Sequence, residues 1–254
     1  MEPIPSIRII KYVLFDQFQY KNKQQKYLDV NFQQQLIKYL YKNNPTLSLK
    51  QSLEETTFTV FDLETTGFFP RLGDEIVSIG AMKMNVNQIK FPEHFYEVIS
   101  PIGEIPDYIY ELTNLTKEQV GNGKTFQEAF LKFLQFSQDT VLVAHPASFD
   151  VHFLKVMAKR WGLPKYNPLF IDSYFLANFL QPKVNNKLDG LVSYFHIEPK
   201  ERHHALNDAQ MTAEIFMKLL MMLKKKDIHT IEDYLKIRGK KKGKLIVRKA
   251  QAPI

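Results

Sequence analysis

Thr57-Phe58-Thr59-Val60-Phe61-Asp62-Leu63-Glu64-Thr65-Thr66-Gly67 is β-branched and aromatic up to its glycine, the composition of a strand that runs into a turn. Side chains alternate along a strand with period two, so Asp62 and Glu64 project from the same face. Two anions side by side on an apolar strand repel each other and are costly to ionise without a neutralising cation. Alone, such a pair is most simply the solvated end of a strand. The turn at Thr65-Thr66-Gly67 places it at a strand terminus, where a loop can open a cleft of the kind that holds ligands in α/β sheets.

Working outward from this strand, two more are expected over 76–84 and 94–99, with links short enough for an antiparallel meander. Thr125 and Glu128 form a capping-box pattern ahead of Ala129, Phe130, Phe133 and Leu134, which predicts a helix to about 137. Val141-Leu142-Val143-Ala144 reads as a buried strand, 150–161 as a helix closed by Gly162 and Pro164, and 169–171 as a short fifth strand. Helical stretches are expected near 173–180 and 187–196, then a long helix over 205–223 with Met211, Ile215, Leu219 and Met222 on its buried stripe. A meander followed by alternating helices and strands implies an α/β fold, a mixed five-stranded sheet flanked by helices.

The two ends differ from this middle. Residues 1–50 contain no glycine and are rich in Gln, Asn, Lys and Tyr, and they read as an N-terminal helical appendage. Leu28, Phe32, Leu36 and Leu40 recur every four residues, the pattern of one amphipathic helix that packs on the main domain or docks a partner. Residues 225–254 read as a flexible basic C-terminal tail, since 236–249 carry Lys and Arg but no acid and are interrupted by Gly239 and Gly243. Between the ends, 56–224 form the expected main domain.

Composition narrows the function classes. The 254 residues are 44% apolar, enough for one sizeable core, and no apolar run approaches the roughly 20 residues of a membrane span. A net charge of +7 favours polyanionic partners. The absence of cysteine excludes disulfides, thiolate zinc sites and cysteine nucleophiles. The start Met1-Glu2-Pro3-Ile4-Pro5 lacks the pattern of a signal peptide, so a cytoplasmic location and no membrane partner are expected.

Two further carboxylates bear on the pair in the strand. Asp150 follows a buried strand at the start of a helix, where an acid is also simply good capping, and Asp208 lies one turn into the last helix. Four carboxylates without cysteine suit hard divalent cations, with histidine serving better as a proton acceptor than as a ligand. Phe61-Asp62-Leu63-Glu64-Thr65-Thr66-Gly67, His145-Pro146-Ala147-Ser148-Phe149-Asp150 and His203-x-Ala205-x-x-Asp208-Ala209 resemble, in order and spacing, the three exonuclease motifs of the DEDD superfamily in its histidine subtype. That family includes the proofreading subunit of bacterial DNA polymerase III. The resemblance covers about 56–224 and takes in Ile105-Pro106, Glu111-Leu112-Thr113, Asp172-Ser173 and Leu188-Asp189-Gly190-Leu191. It departs at Pro146, where Asn is common, at Ser78, where Glu is frequent, and at Asn114, where Gly or His is usual. These departures bear on substrate preference more than on chemistry.

The resemblance implies a ribonuclease H-like fold and a 3′–5′ exonuclease using two divalent cations, Mg²⁺ or Mn²⁺. By that resemblance Asp62 bridges both ions, Glu64 and Asp208 complete one site, and Asp150 supports the other. His203, with four residues between it and Asp208, is the implied base, and Thr65, Thr66 and His145 the implied contacts to the terminal nucleotide. Thr65 and Thr66 equally suit a tight turn. The expected substrate is the 3′ end of single-stranded nucleic acid, DNA preferred, hydrolysed to nucleoside 5′-monophosphates in proofreading or repair, with a polymerase or another replication protein as partner. The rivals are an RNA-trimming exoribonuclease of the same fold and a catalytically silent polymerase-docking module.

Overall fold

The computed structural model describes residues 6–42, 47–87 and 93–239. Its centre is one five-stranded sheet in the order β3-β2-β1-β4-β5, formed by β1 (Phe58–Thr65), β2 (Ile76–Met84), β3 (His94–Val98), β4 (Val141–Ala144) and β5 (Phe170–Asp172). The first three strands pair antiparallel as a meander, while β4 and β5 join parallel to β1. This is the mixed sheet expected from the sequence, with the central strand read first.

Period-two alternation divides the core. Phe58 and Val60 face one hydrophobic cluster, with Val141, Val143 and Ile171 from the neighbouring strands. Helices α8 (Ser173–Leu180), α9 (Leu188–Tyr194) and α10 (Ala205–Lys224) cover that face. Phe61 and Leu63 face the other cluster, under α6 (Phe126–Phe136) and α7 (Ala147–Arg160). Continuing the alternation, Asp62 and Glu64 lie on the face that α10 covers. Parallel pairing of β1 with β4 stops at Val60 and Val143, and the β1–β2 ladder slips between Glu64 and Thr65. The carboxylates therefore sit where the sheet loosens, as bulges beside functional sites commonly do.

Two short helices absent from the sequence reading, α4 (Asp107–Thr113) and α5 (Lys117–Gly121), close a small cluster of Ile109, Leu115 and Val120 on Val77. Thr116 caps α5 through a reciprocal capping box with Gln119.

The N-terminal segment is more helical than expected: α1 (Ser6–Lys11), a π-helical turn (Tyr12–Asp16), α2 (Gln17–Tyr27) and α3 (Val30–Lys42). Leu36 of α3 is fully buried in the cluster that holds Phe130 and Phe133 of α6, with Phe32 and Leu40 packed against it. That stripe is thus spent within the chain. Leu28 falls outside it, at the exposed C-cap of α2. Tyr20 donates to Glu75 at 2.9 Å, and Arg8 pairs with Asp74 at 2.6 Å, which ties the segment to the loop after β1.

The expectation of a flexible tail from residue 225 is corrected over 225–239. Residues 231–239 form a helix, which we label α11, whose Ile231 and Tyr234 are fully buried against α8, α9 and α10. The Tyr234 hydroxyl accepts from the Asp172 amide at 2.9 Å, and Arg238 lies 4.6 Å over the Phe170 ring. The apolar residues of this segment outweigh its charges in deciding its place. The rest of the basic run, 240–254, lies outside the described residues.

Candidate active site

Glycine at position 80 allows the site to form. Gly80 pairs with Asp62 in the β1–β2 ladder, and a Cβ there would overlap the Ala205 carbonyl carbon and the Leu206 nitrogen. The start of α10 therefore rests directly on the strand beside Asp62, bringing Asp208 and the loop before the helix over Glu64. His203 turns that loop with φ 61°, a left-handed conformation that costs a non-glycine residue roughly 1–2 kcal/mol. Ligating atoms of Glu64, His203 and Asp208 all lie within 4.8 Å of one another. His204 has a different environment, its ring stacked on Tyr96 with centroids 4.6 Å apart.

Asp150 comes from the opposite side, buried in the first turn of α7 beyond the end of β4. Its charge and that of Asp208 act on both Asp62 and Glu64, so the structure brings all four carboxylates into one electrostatic group, with Glu64 and Asp208 in its tight part. Burial, then the charges of Asp150, Glu64 and Asp208, push the Asp62 carboxyl well above the usual carboxylate range. Glu64 is pushed up to about 8 by burial and by Asp208 and Asp150. Asp150 is pushed up to about 8 mainly by burial, with hydrogen bonds from its own and the Leu63 backbone pulling the other way. Arg202 opposes the rise at Asp62 and Glu64. Its guanidinium bonds to Asp208 Oδ2 and, at 2.5 Å, to Asp189 Oδ1.

Asp208 Oδ1 is buried with no hydrogen-bond partner among the described residues. An orphaned oxygen in a set of four crowded carboxylates fits a hard divalent cation. The residues present therefore suit such an ion.

Thr65 Oγ1 donates to the Gly67 carbonyl at 2.8 Å, and Thr66 Oγ1 accepts from the Glu75 amide at 3.0 Å, so both hydroxyls brace the turn. His145 Nδ1 meets Ser173 Oγ and its Nε2 the Asn186 carbonyl, each at 2.8 Å, so both ring nitrogens have partners within the chain. Burial lowers its pKa, consistent with a neutral scaffold imidazole. Asp172 is a supporting residue for which the sequence reading assigned no role. It accepts from the Ser148 amide of α7 and the Phe175 amide of α8, both at 3.0 Å, joining the two helix starts behind Asp150. Its place between Ile171 and Ser173, where a strand meets a helix, is a capping signal legible in hindsight.

A family model described as Exonuclease, of RNase T type, matches residues 59–216, a span that contains all four carboxylates and His203. The chain belongs to this exonuclease family. Among curated relatives, the exonuclease is 37% identical over 180 residues to the PolC-type DNA polymerase III of Thermotoga petrophila, covering 70% of this chain and 13% of that protein. To the PolC-type DNA polymerase III of Clostridium perfringens it is 36% identical over 177 residues, covering 69% of this chain and 12% of that protein. It thus matches only a small part of the length of these polymerases. The fold resembles the nuclease domain of 3′hExo, a DEDDh family member bound to rAMP, with a TM-score of 0.58, 20% identity, and coverage of 65% of this chain and 92% of that one. It also resembles E. coli exonuclease I in complex with a dT13 oligonucleotide, with a TM-score of 0.58, 17% identity, and coverage of 67% and 42%. The ribonuclease H-like fold and the exonuclease relationship expected from the motifs both hold. No described helix is long and apolar enough to cross a membrane.

Proposed function

We propose that this exonuclease removes nucleotides from the 3′ ends of single-stranded DNA, releasing nucleoside 5′-monophosphates in the service of replication or repair. The observation that carries the reading is the approach of Glu64, His203 and Asp208 ligating atoms to within 4.8 Å, beside Asp62 and Asp150. Asp62, Glu64, Asp150 and Asp208 would hold two divalent cations, Mg²⁺ or Mn²⁺. When bound, such ions stabilise charge on the attacking and leaving oxygens of an in-line phosphoryl displacement. His203, on the loop rather than in the helix, takes the proton from the attacking water, the general-base role that histidine fills most often. His145, Asp172 and Ser173 keep the starts of α7 and α8 in place beneath Asp150. DNA is preferred over RNA because the relatives at 37% and 36% identity are named DNA polymerases. A polymerase or other replication protein is the corresponding partner, and the replicating cytoplasm the corresponding location.

Matched DNA and RNA oligonucleotides, labelled at either end, test this with Mg²⁺, with Mn²⁺ and with chelator. Stepwise shortening of single-stranded DNA from the 3′ end, mononucleotide products and loss of activity in chelator are expected. Faster shortening of RNA transfers the assignment to the exoribonuclease rival. No hydrolysis of either by a protein that still binds the oligonucleotides supports the silent module.

A further inference from the structure

Arg202 is a cation built into the carboxylate group, and none of the roles assigned above uses it. A guanidinium is charged at every accessible pH, and its planar fork can address two carboxylates at once. Here Nη1 engages the buried Asp208 and Nε engages Asp189, whose side chain is largely exposed at the start of α9. An exposed ion pair of the second kind adds little stability. Its geometric effect is larger, because it pins the guanidinium at the edge of the site. Asp208 Oδ2 receives both Arg202 and the His203 amide, whereas Oδ1 receives nothing from the described residues. A divalent cation that takes Asp208 meets a positive charge already in contact with the same carboxylate, and like charges disfavour each other.

We propose that Arg202 is a positioning residue that couples cation binding to phosphate binding: it holds Asp208 until a divalent cation displaces it, and then, tethered by Asp189, offers its guanidinium to the phosphodiester. The inference rests on the metal-dependent reading above and deepens it. Once displaced, the guanidinium keeps, among the described residues, the solvated Asp189 carboxylate as its ionic partner, and a phosphate oxygen pair matches its fork. Cation and substrate then strengthen each other's binding, and an empty site resists the ion.

Calorimetric titration of the full chain with Mn²⁺, with and without thymidine 5′-monophosphate, reads this coupling directly. Arg202→Gln is expected to bind Mn²⁺ alone more tightly than the parent, on the order of ten-fold, and to gain less from the nucleotide. Asp189→Asn loosens the tether but leaves the guanidinium on Asp208, so its affinity for Mn²⁺ alone is expected to stay near that of the parent. Arg202→Gln binding no more tightly than the parent overturns the proposal while leaving the metal-dependent reading intact. Asp189→Asn tightening as much as Arg202→Gln also overturns it, since the effect is then loop mobility rather than charge. Absence of Mn²⁺ binding in all three proteins removes the metal-dependent reading and this proposal together.

Discussion

His203 shares its neighbourhood with Glu64 and Asp208, whereas the next residue, His204, stacks on Tyr96. The two side chains are separated by the left-handed turn at His203, which lets adjacent residues leave the loop in different directions. His203→Ala is expected to lower turnover by about 10²-fold or more, the scale of a lost general base. His204→Ala is expected to leave turnover nearly unchanged and to lower the melting temperature through the lost stack. Equal small effects on turnover would remove His203 from the chemistry. Glu64 supplies a second residue-scale test. Its ordinary pKa is near 4.5 and its folded value about 8, so between those limits the folded protein keeps a proton that the unfolded chain has lost. Stability without divalent cations must then fall as pH rises through that window. Melting curves in chelator from pH 5 to 8 are expected to show the fall, and Glu64→Gln to flatten it; parallel curves for parent and variant would contradict the crowding of the carboxylates.

At the scale of elements, the contact of α10 with β2 sets the site. Gly80→Ala is expected to cost about 1–3 kcal/mol by overpacking in urea unfolding, because the Cβ meets backbone rather than a side chain that can rotate away. Activity is expected to fall further than stability accounts for, since the displaced helix carries Asp208 and the displaced loop His203. Full activity in a destabilised variant would show that the site tolerates movement of α10. The elements were unevenly legible. β1, β2 and β4 emerge from local composition because each is a run of apolar or β-branched residues bounded by turn formers. Helices α4 and α5 were not legible, as they are too short to establish a period and depend on packing against Val77.

For the whole molecule, α3 and α11 join the cores on opposite faces of the sheet. Leu36 is buried with Phe130 and Phe133, and Tyr234 with residues of α8 and α10. Calorimetry is therefore expected to give one cooperative transition for the described chain. Leu36→Ala is expected to shift the whole of it by about 2–5 kcal/mol. A separate early transition moved by that substitution alone would make the N-terminal segment an independent unit. What the sequence determined by itself is the part governed by local periodicity: the central strand, the pairing of Asp62 with Glu64 on one face, and the order of the carboxylate motifs along the chain. What only the tertiary structure decided is which partners those groups meet. His145 is claimed by Ser173 and Asn186, Asp208 by Arg202, and the charged segment 231–239 by a buried face. Composition says that a group is polar or charged, but the partner that satisfies it is chosen by packing between segments far apart in the chain, because a buried polar atom takes whatever complementary group the fold brings within hydrogen-bonding distance.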